Sequence, residues 1–305
     1  MKKVLKIAVR DLVAYVLRSG DLAFEFLSST RPVEGIRIHQ KIQQSRPEGY
    51  QSEVAVSHNV ETELFTLIIG GRIDGIQVTS NRIVIEEIKT TSRSLDHIEH
   101  HEDAAHWGQL KSYAYIYAKN QNLPELDARL TYYQVDTGQI INFQKHFTLL
   151  ELESFFQDLV ARYLQWAQTI VRWQRLRDTS IRRLEFPFPN YRPGQREMAV
   201  GVYRTIKNKS QLLVQAATGI GKTMAAIFSA VKALGEDIST KIFYLTARTT
   251  GRIAAEKALD ELRKKDLRLK SLTITAKEKI CFNPDSSCNP DECEFAPQAC
   301  RGPPS

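Results

Sequence analysis

Three residues whose side chains could act together on a phosphodiester stand at the ends of two neighbouring β-like runs. Asp74 closes the first run, and Glu87-Ile88-Lys89 closes the next. Side chains alternate along a strand, so Glu87 and Lys89 share one face, which Asp74 can approach if the two runs form a hairpin. Paired carboxylates favour a cation such as Mg²⁺, which acidifies a water for attack, and a lysine can stabilise charge on the phosphate. The same residue types also form ordinary ion pairs at solvated strand ends, so spacing alone leaves both interpretations open.

A phosphate-binding loop is predicted further along the chain. A β-like run leads into residues 216–223, which read AATGIGKT, and a helical pattern follows. Gly219 and Gly221 permit tight turns that bring backbone amides close to a phosphate, and the positive end of the helix points at the anion. Lys222 is predicted to reach the β- and γ-phosphates, and Thr223 to bind Mg²⁺. With Thr218 inside the loop, the pattern predicts a site for ATP.

The cysteines form a third candidate site. All four lie between Cys281 and Cys300, with Cys288 and Cys293 between them, and the gaps are six, four and six residues. Such clustering in an intracellular chain favours metal or cluster ligation over disulfides. Four thiolates suit a [4Fe–4S] cluster and also suit zinc, so their spacing does not decide between the two.

The periodicity of the chain predicts an α/β scaffold in two parts. In the first part, residues 1–30 are predicted as a helix pair. Further helices are predicted over 36–44, 104–119 and 148–175. Strands are predicted over 53–56, 64–70, 82–88, 129–135 and 139–147. Mixed strands and helices of this kind predict a mixed sheet flanked by helices.

A change in composition separates the second part from the first. Residues 176–194 contain three prolines and several arginines, which is typical of a linker. Helices are then predicted over 194–207, 222–234 and 251–265, alternating with strands over 211–216, 241–246 and 270–275. This alternation predicts a parallel sheet with helices on its faces.

Composition limits the class of protein only broadly. The 305 residues are 42% hydrophobic, enough for two ordinary cores, and the formal net charge is +7. A basic excess suits a polyanionic partner such as DNA, although many proteins without such a partner are as basic. No stretch approaches the roughly 20 apolar residues that span a bilayer. We therefore expect a soluble, cytoplasmic protein with no membrane partner.

Four short motifs in the first part follow one another in a recognisable order. They are Gly35 to His39, Gly71 to Asp74, Glu87 to Lys89 and Gln109 to Tyr113. The order G-x-x-x-H, G-x-x-D, (D/E)-x-K and Q-x-x-x-Y resembles the RecB-like branch of the PD-(D/E)xK nucleases, over roughly residues 1–150. The resemblance implies that Gln109 and Tyr113 position DNA or the catalytic lysine.

The same resemblance assigns roles to the other matched residues. It implies that Asp74 and Glu87 bind Mg²⁺ or Mn²⁺ and that Lys89 is catalytic. It also implies that His39 is a further metal ligand, although a lone histidine on a helix is more often structural. The implied substrate is DNA that is single-stranded or has ends.

The second part resembles the start of a superfamily 2 DNA helicase. Alanine at position 216 is usual in the phosphate loop of that group, and Gln195 stands where those helicases read adenine. XPD-like and DinG-like members insert an iron–sulfur domain soon after this region. The resemblance therefore implies a [4Fe–4S] cluster, with zinc as runner-up. Cys281, Cys288 and Cys293 fit that region better than Cys300, because the family's last ligand lies further downstream.

These resemblances predict four segments. They are a nuclease domain over 1–175, a linker over 176–194, a partial RecA-like ATP-binding domain over 195–280 and a partial iron–sulfur cysteine segment over 281–305. We expect the helicase to be truncated and inactive as a motor, because a second acidic motif and an arginine finger find no room.

The function predicted from the sequence is DNA processing or repair by a metal-dependent deoxyribonuclease joined to an incomplete ATP-dependent helicase. The alternative is a non-catalytic DNA- and nucleotide-binding remnant of a truncated helicase. Metal-dependent DNA cleavage by the first domain separates the two hypotheses.

Overall fold

The computed structural model describes residues 2–17, 32–79, 82–92, 95, 98, 103–276, 279 and 281. The chain divides into two compact units, one of residues 1–167 with 275–305 and the other of residues 168–274. None of the helices within the described ranges is long and apolar enough to cross a membrane.

The described elements follow in one order along the chain. The first unit begins with β1 (Lys3–Ala8), α1 (Val9–Leu17), α2 (Pro32–Gln44), β2 (Tyr50–Glu61), β3 (Phe65–Val78) and β4 (Ile83–Thr91). It continues with α3 (Ala104–Gln121), β5 (Glu125–Gln134), β6 (Ile140–Thr148) and the start of α4 (Leu149–Arg183). The second unit takes the rest of α4 and adds α5 (Gln195–Lys207), α6 (Lys222–Gly235) and α7 (Thr249–Arg263).

The six described strands form one mixed sheet, of which the sequence predicts all but β1. Strand β2 pairs antiparallel along β3, and β1 and β4 both pair with β3 as well. Strand β1 is parallel to β3 over residues 65–70, and β4 is antiparallel to it over residues 75–78. Since a strand has only two edges, β1 and β4 divide one edge of β3 between them. Strand β5 then runs parallel to β4, and β6 runs antiparallel to β5.

Helix α3 covers part of this sheet and is fixed at both ends by its sequence. The Asp103 carboxylate caps its start by accepting hydrogen bonds from the amides of Ala105 and His106, at 2.7 and 3.1 Å. Asn122 ends it in the left-handed conformation. Helix α1 lies against α3 at Gly108, where an added Cβ would come within 2.5 Å of Leu17. A small residue is therefore required where the two helices meet.

The start of the chain differs from its prediction. Residues 9–17 are helical as expected, but residues 3–8 form β1 instead of a helix. The reason is non-local, because β1 is held by parallel pairing with β3, some sixty residues away in sequence. Residues 18–30 of the predicted helix pair lie outside the described residues.

The second unit is helical, with a core shared by α4, α6 and α7. The buried residues of that core include Ile181, Leu184, Ile227, Val231 and Leu262. The three predicted helices are present, but the described residues of this unit form no parallel sheet. Within the described residues, the segments 211–216, 241–246 and 270–275 form no strand.

The physical reason for this difference is that a strand needs a partner as well as a pattern. The apolar side chains of these segments are exposed to solvent, and Leu213 is 99%, Leu245 88% and Leu272 87% exposed. Their alternation gives the correct hydrophobic signature, yet hydrogen bonding across a ladder depends on a neighbour that the local sequence does not encode.

Candidate active site

The candidate active site of the first unit lies where strands β3 and β4 diverge. The pairing of β1 with β3 ends at Gly70, and the pairing of β4 with β3 begins at Gly75. Asp74 therefore falls in the gap between the two ladders. Beyond Glu86 the strand β4 leaves β3, and the Ile88 amide donates instead to Asp74 Oδ2 at 2.7 Å. The divergence of the strands thus orients this carboxylate.

Glu87, Lys89 and Gln109 form a closed triangle of hydrogen bonds. Lys89 Nζ donates to Glu87 Oε1 at 2.8 Å and to Gln109 Oε1 at 2.9 Å. Gln109 Nε2 donates to the same Glu87 oxygen at 2.7 Å. Alternation along β4 places Glu87 and Lys89 on one face, and α3 supplies Gln109 from above it. The lysine therefore has a fixed position relative to the carboxylate.

The environment of Glu87 is unusual for an acidic side chain. Burial raises the pKa of Glu87 from its ordinary 4.5 to about 7, with Asp74 adding to the rise and Lys89 opposing it. Within the described part of the chain, Glu87 Oε2 is buried and has no hydrogen-bond partner. A buried oxygen in this state is costly in the absence of a partner. It is also the atom that a bound cation would satisfy.

His39 approaches the same site from α2. Its Nδ1 lies 3.6 Å from Asp74 Oδ1, and this contact raises the pKa of His39. A protonated imidazole pairs with a carboxylate but cannot bind a metal, since ligation requires the neutral ring. The role of His39 as a metal ligand stays a prediction, and the structure places its ring beside Asp74.

The donor set suits a hard divalent cation. Among the described residues, no group of three or more His, Cys, Asp or Glu side chains is arranged to hold a metal. Mg²⁺ does not need such a group, since it commonly keeps several waters and takes one or two carboxylates. Asp74 and Glu87, with the unpartnered Glu87 oxygen, fit that requirement.

The position of the Tyr113 ring requires a glycine at position 71. An added Cβ on Gly71 would lie 2.6 Å from the Tyr113 hydroxyl and 2.9 Å from its ring. The ring therefore occupies the space that a side chain at position 71 would fill. Burial raises the pKa of Tyr113, and its hydroxyl interacts with Gln109 and with the Arg72 backbone. The structure thus brings all six predicted nuclease residues together: His39, Asp74, Glu87, Lys89, Gln109 and Tyr113.

A buried charge network on the reverse face of β4 was not predicted. Glu86 is fully buried and pairs with the Arg46 guanidinium. It also accepts hydrogen bonds from Tyr50 at 2.7 Å and Thr131 at 2.5 Å, and Arg129 Nε lies 3.2 Å away. These partners come from distant parts of the chain, so no local motif could reveal them. The network fixes β4 from behind while Glu87 faces the site.

Gln43 is a second neighbour of the site that the motifs did not indicate. Its side-chain amide donates to the Asp74 carbonyl at 2.9 Å. One signal could have revealed it, because Gln43 follows His39 by four residues and therefore shares its helix face.

The segment predicted to form a phosphate loop lies in the second unit. Gly219 and Gly221 both have positive φ, 89° and 80°, which favours glycine at each position. Helix α6 begins at Lys222 directly after the loop, with no side-chain hydrogen bond capping its start. Thr223 lies in its first turn, and Thr218 is exposed in the loop. Among the described residues, no side chain at the N-cap of α6 therefore covers the predicted phosphate site.

Two side chains brace this loop in the structure. Lys222 Nζ donates to the carbonyls of Ala216 and Ala217, both at 2.8 Å. Gln195, predicted to read adenine, is buried, and its Nε2 donates to the Gly221 carbonyl at 3.1 Å. Its Oε1 accepts from the Arg192 amide at 3.0 Å. In this structure Gln195 holds the loop's shape with both ends of its amide.

Little of the cysteine segment is described. Cys281 is half-buried and has no disulfide partner among the described residues. Cys288, Cys293 and Cys300 lie outside the described residues.

The geometry agrees with the match to a known family. A family model described as the PD-(D/E)XK nuclease superfamily matches residues 25–300. That range covers most of the chain, so the chain belongs to the PD-(D/E)XK nuclease superfamily. The predicted nuclease class is confirmed at this level.

Individual proteins share less with this chain. It is 43% identical over 47 residues to the "Probable ATP-dependent helicase MJ0942" of Methanocaldococcus jannaschii, across 15% of this chain and 7% of that relative. The crystal structure of SSO0001 is 19% identical with a TM-score of 0.35, covering 53% of this chain and 78% of its own. The alkaline exonuclease LHK-Exo of Laribacter hongkongensis is 15% identical with a TM-score of 0.31, covering 55% and 92%.

Proposed function

We propose that this chain is a divalent-metal-dependent deoxyribonuclease of the RecB-like type, with Asp74, Glu87 and Lys89 as its catalytic group. The observation that carries the proposal is the buried, unpartnered Oε2 of Glu87 beside a second carboxylate and a hydrogen-bonded lysine. Two carboxylates and a lysine held this way are an expensive arrangement for stability alone. A cation between the carboxylates removes that cost.

Each residue then has a definable task. Asp74 and Glu87 would hold Mg²⁺ or Mn²⁺, which supplies charge at the phosphate and lowers the pKa of water. Lys89, anchored by Glu87 and Gln109, is placed to stabilise charge on the phosphate. Tyr113 packs over Gly71 and sets the position of Gln109. A protonated His39 would offset the charge of Asp74, and a neutral His39 would be able to bind the metal.

The experiment is cleavage of DNA by the purified chain. We expect cleavage of single-stranded or end-bearing DNA with Mg²⁺ or Mn²⁺, and none with EDTA. Asp74→Ala and Lys89→Ala should each slow cleavage by at least roughly a hundredfold, the scale of a lost transition-state contact. Asn59→Val, an exposed change on β2, serves as the matched control. Equal cleavage by the wild type and both site variants contradicts the proposal and favours a non-catalytic DNA-binding remnant.

A second function, nucleotide binding, is favoured by one observation in the second unit. The amides at the start of α6 are free of side-chain caps beside two glycines of positive φ, which suits a phosphate. The short match to a probable ATP-dependent helicase is consistent with this. We therefore propose that residues 195–280 are a RecA-like segment that binds ATP with Mg²⁺ through Lys222 and Thr223, with Gln195 supporting the loop.

The remaining proposals concern organisation. We propose a nuclease domain over 1–175 and a linker over 176–194. We also propose that the protein acts in DNA processing or repair in the cytoplasm. The cysteines from Cys281 to Cys300 are proposed to bind an XPD/DinG-like [4Fe–4S] cluster. Protein purified without oxygen should then be brown and contain iron. Colourless protein with stoichiometric zinc contradicts the cluster and supports a zinc site.

A further inference from the structure

A break in the pairing of β2 with β3 lies directly opposite Asp74. The two strands pair in continuous register on both sides of it, with Ser52 opposite Gly75 and Val54 opposite Ile73. The same register places Glu53 opposite Asp74, yet these two residues are not paired. Glu53 has a φ of 56°, the left-handed conformation that residues other than glycine, asparagine and aspartate rarely adopt. The strand is therefore bent out of its ladder at one residue.

The bend leaves Asp74 between two ladders on one edge of β3 and opposite a break on the other. Into this break α2 inserts the side chain of Gln43. Its Nε2 donates one hydrogen bond to the Asp74 carbonyl at 2.9 Å and one to Glu53 Oε1 at 3.3 Å. The side-chain amide of Gln43 thus lies where a regular ladder would have a paired backbone. The Asp74 backbone is hydrogen-bonded to helix α2, and the left-handed conformation of Glu53 leaves space for that hydrogen bond.

Helix α2 is itself fixed to the other side of the site. Ile38 and Ile42 are buried against Ile88. The Ile88 amide is the group that donates to Asp74 Oδ2 at 2.7 Å. Asp74 is therefore held at its carboxylate by Ile88 and at its carbonyl by Gln43, and both connections lead to α2. Backbone strain of this kind costs of order one to a few kcal/mol and persists where the surroundings enforce it.

We propose that Gln43 and Glu53 are positioning residues that set the Asp74 carboxylate for metal binding, Glu53 through its left-handed backbone and Gln43 through its amide. Only the expected effect on metal binding rests on the proposed nuclease function, since the contacts of Gln43 and Glu53 are present without metal. The Glu53 carboxylate is half exposed, accepts the hydrogen bond from Gln43 and lies 3.8 Å from the Arg72 guanidinium. The conformation of residue 53 matters more than its charge.

The proposal is tested with variants of the full chain that separate conformation from charge. Glu53→Val disfavours the left-handed conformation, because β-branched residues avoid it. Glu53→Gly removes the carboxylate but keeps that conformation available. Gln43→Leu removes the amide from α2 without altering either strand. Asn59→Val, on the paired and exposed part of β2, is the control for a valine in this strand.

Two readouts are used, and the first needs neither metal nor DNA. Hydrogen exchange of the Ile88 amide, followed by NMR in EDTA, reports its bond to Asp74. We expect exchange to be faster by roughly tenfold, the factor equal to about 1.4 kcal/mol, in Glu53→Val and Gln43→Leu. We expect Glu53→Gly and Asn59→Val to stay within about threefold of the wild type, a range of about 0.7 kcal/mol.

The second readout is the affinity for Mn²⁺ alone, measured by titration calorimetry. It should fall by roughly tenfold in the same two variants and stay near the wild-type value in the other two. Ile88 exchange and Mn²⁺ affinity unchanged in both Glu53→Val and Gln43→Leu overturn the inference and leave the nuclease proposal intact. A different outcome is that Ile88 exchange changes in these two variants while the wild type neither binds Mn²⁺ nor cleaves DNA. That outcome supports the positioning inference and overturns the nuclease proposal.

Discussion

Replacing Glu87 by glutamine should stabilise the metal-free protein while abolishing its activity. Glutamine has the shape of a protonated glutamate and carries no charge. Burial raises the pKa of Glu87 from 4.5 to about 7, so the folded protein resists ionising this group where the unfolded chain ionises it freely. The variant removes the free-energy cost of holding a buried negative charge, and it also removes the carboxylate that the proposed cation needs.

The size and pH dependence of the effect follow from the pKa of Glu87. Below about pH 4 the side chain is protonated in both states, so it contributes no difference. Between the unfolded pKa of 4.5 and the folded pKa of about 7, stability falls as pH rises, because the unfolded chain binds fewer protons. At about 1.4 kcal/mol for each pH unit, the total loss is about 3 kcal/mol and is complete above about pH 7.

The assay is urea unfolding of the full chain in EDTA at about pH 4 and about pH 8. We expect Glu87→Gln to match the wild type at the lower pH and to exceed it by about 3 kcal/mol at the higher. Added Mn²⁺ should stabilise the wild type and leave the variant unchanged. Cleavage by the variant should fall to the level of Asp74→Ala.

Glu86→Gln is the matched control, one residue away on the same strand. Glu86 is paired with Arg46 and bonded to two hydroxyl groups, so the same substitution there breaks a buried ion pair. We expect a loss of about 3 to 5 kcal/mol at about pH 8, which is opposite in sign. Equal stability of Glu87→Gln and the wild type at about pH 8 would refute the reasoning about burial.

Three further predictions concern the metal, the packing and the phosphate loop. Mn²⁺ affinity, measured by calorimetry, should rise about tenfold per pH unit below about pH 7 and level off above it, because binding displaces the Glu87 proton; a flat profile contradicts this. Gly71→Ala should destabilise the chain by about 1 to 3 kcal/mol in urea, because its Cβ meets Tyr113, and Tyr113→Ala should remove most of that penalty. Lys222→Ala should abolish binding of a fluorescent ATP analogue, whereas Lys232→Ala, on the same helix but bonded to the Ile181 carbonyl, should retain it.

The sequence predicts that the residues of the candidate nuclease site lie together, and the information for this prediction is largely local. Glu87 and Lys89 share a face through strand alternation alone, and the order of four short motifs identifies the elements that carry them. Gln109 and Tyr113 are one helical turn apart, so their common face follows from α3 itself. These relationships need no knowledge of which strands are neighbours.

What the sequence does not predict depends on contacts between distant residues. Strand β1 exists through its pairing with β3, and the Glu86 network joins residues that lie up to 85 positions apart. The left-handed conformation of Glu53 has no compositional signal, since glutamate is not a turn residue. The segment 211–216 shows the converse, because a correct apolar pattern forms no strand where no partner lies beside it.

The neighbouring carboxylates of β4 also bear on the accuracy of folding. Glu86 and Glu87 point to opposite faces, one into a basic network and the other towards the candidate metal site. A slip of β4 by one residue would exchange the faces of all its side chains. A slip in one direction would bring Ile85 to the arginines and leave their charge uncompensated, and a slip in the other would bring Ile88 to the position of Glu87. Either slip would turn Lys89 away from Gln109. The acidic pair therefore helps to specify the register of β4.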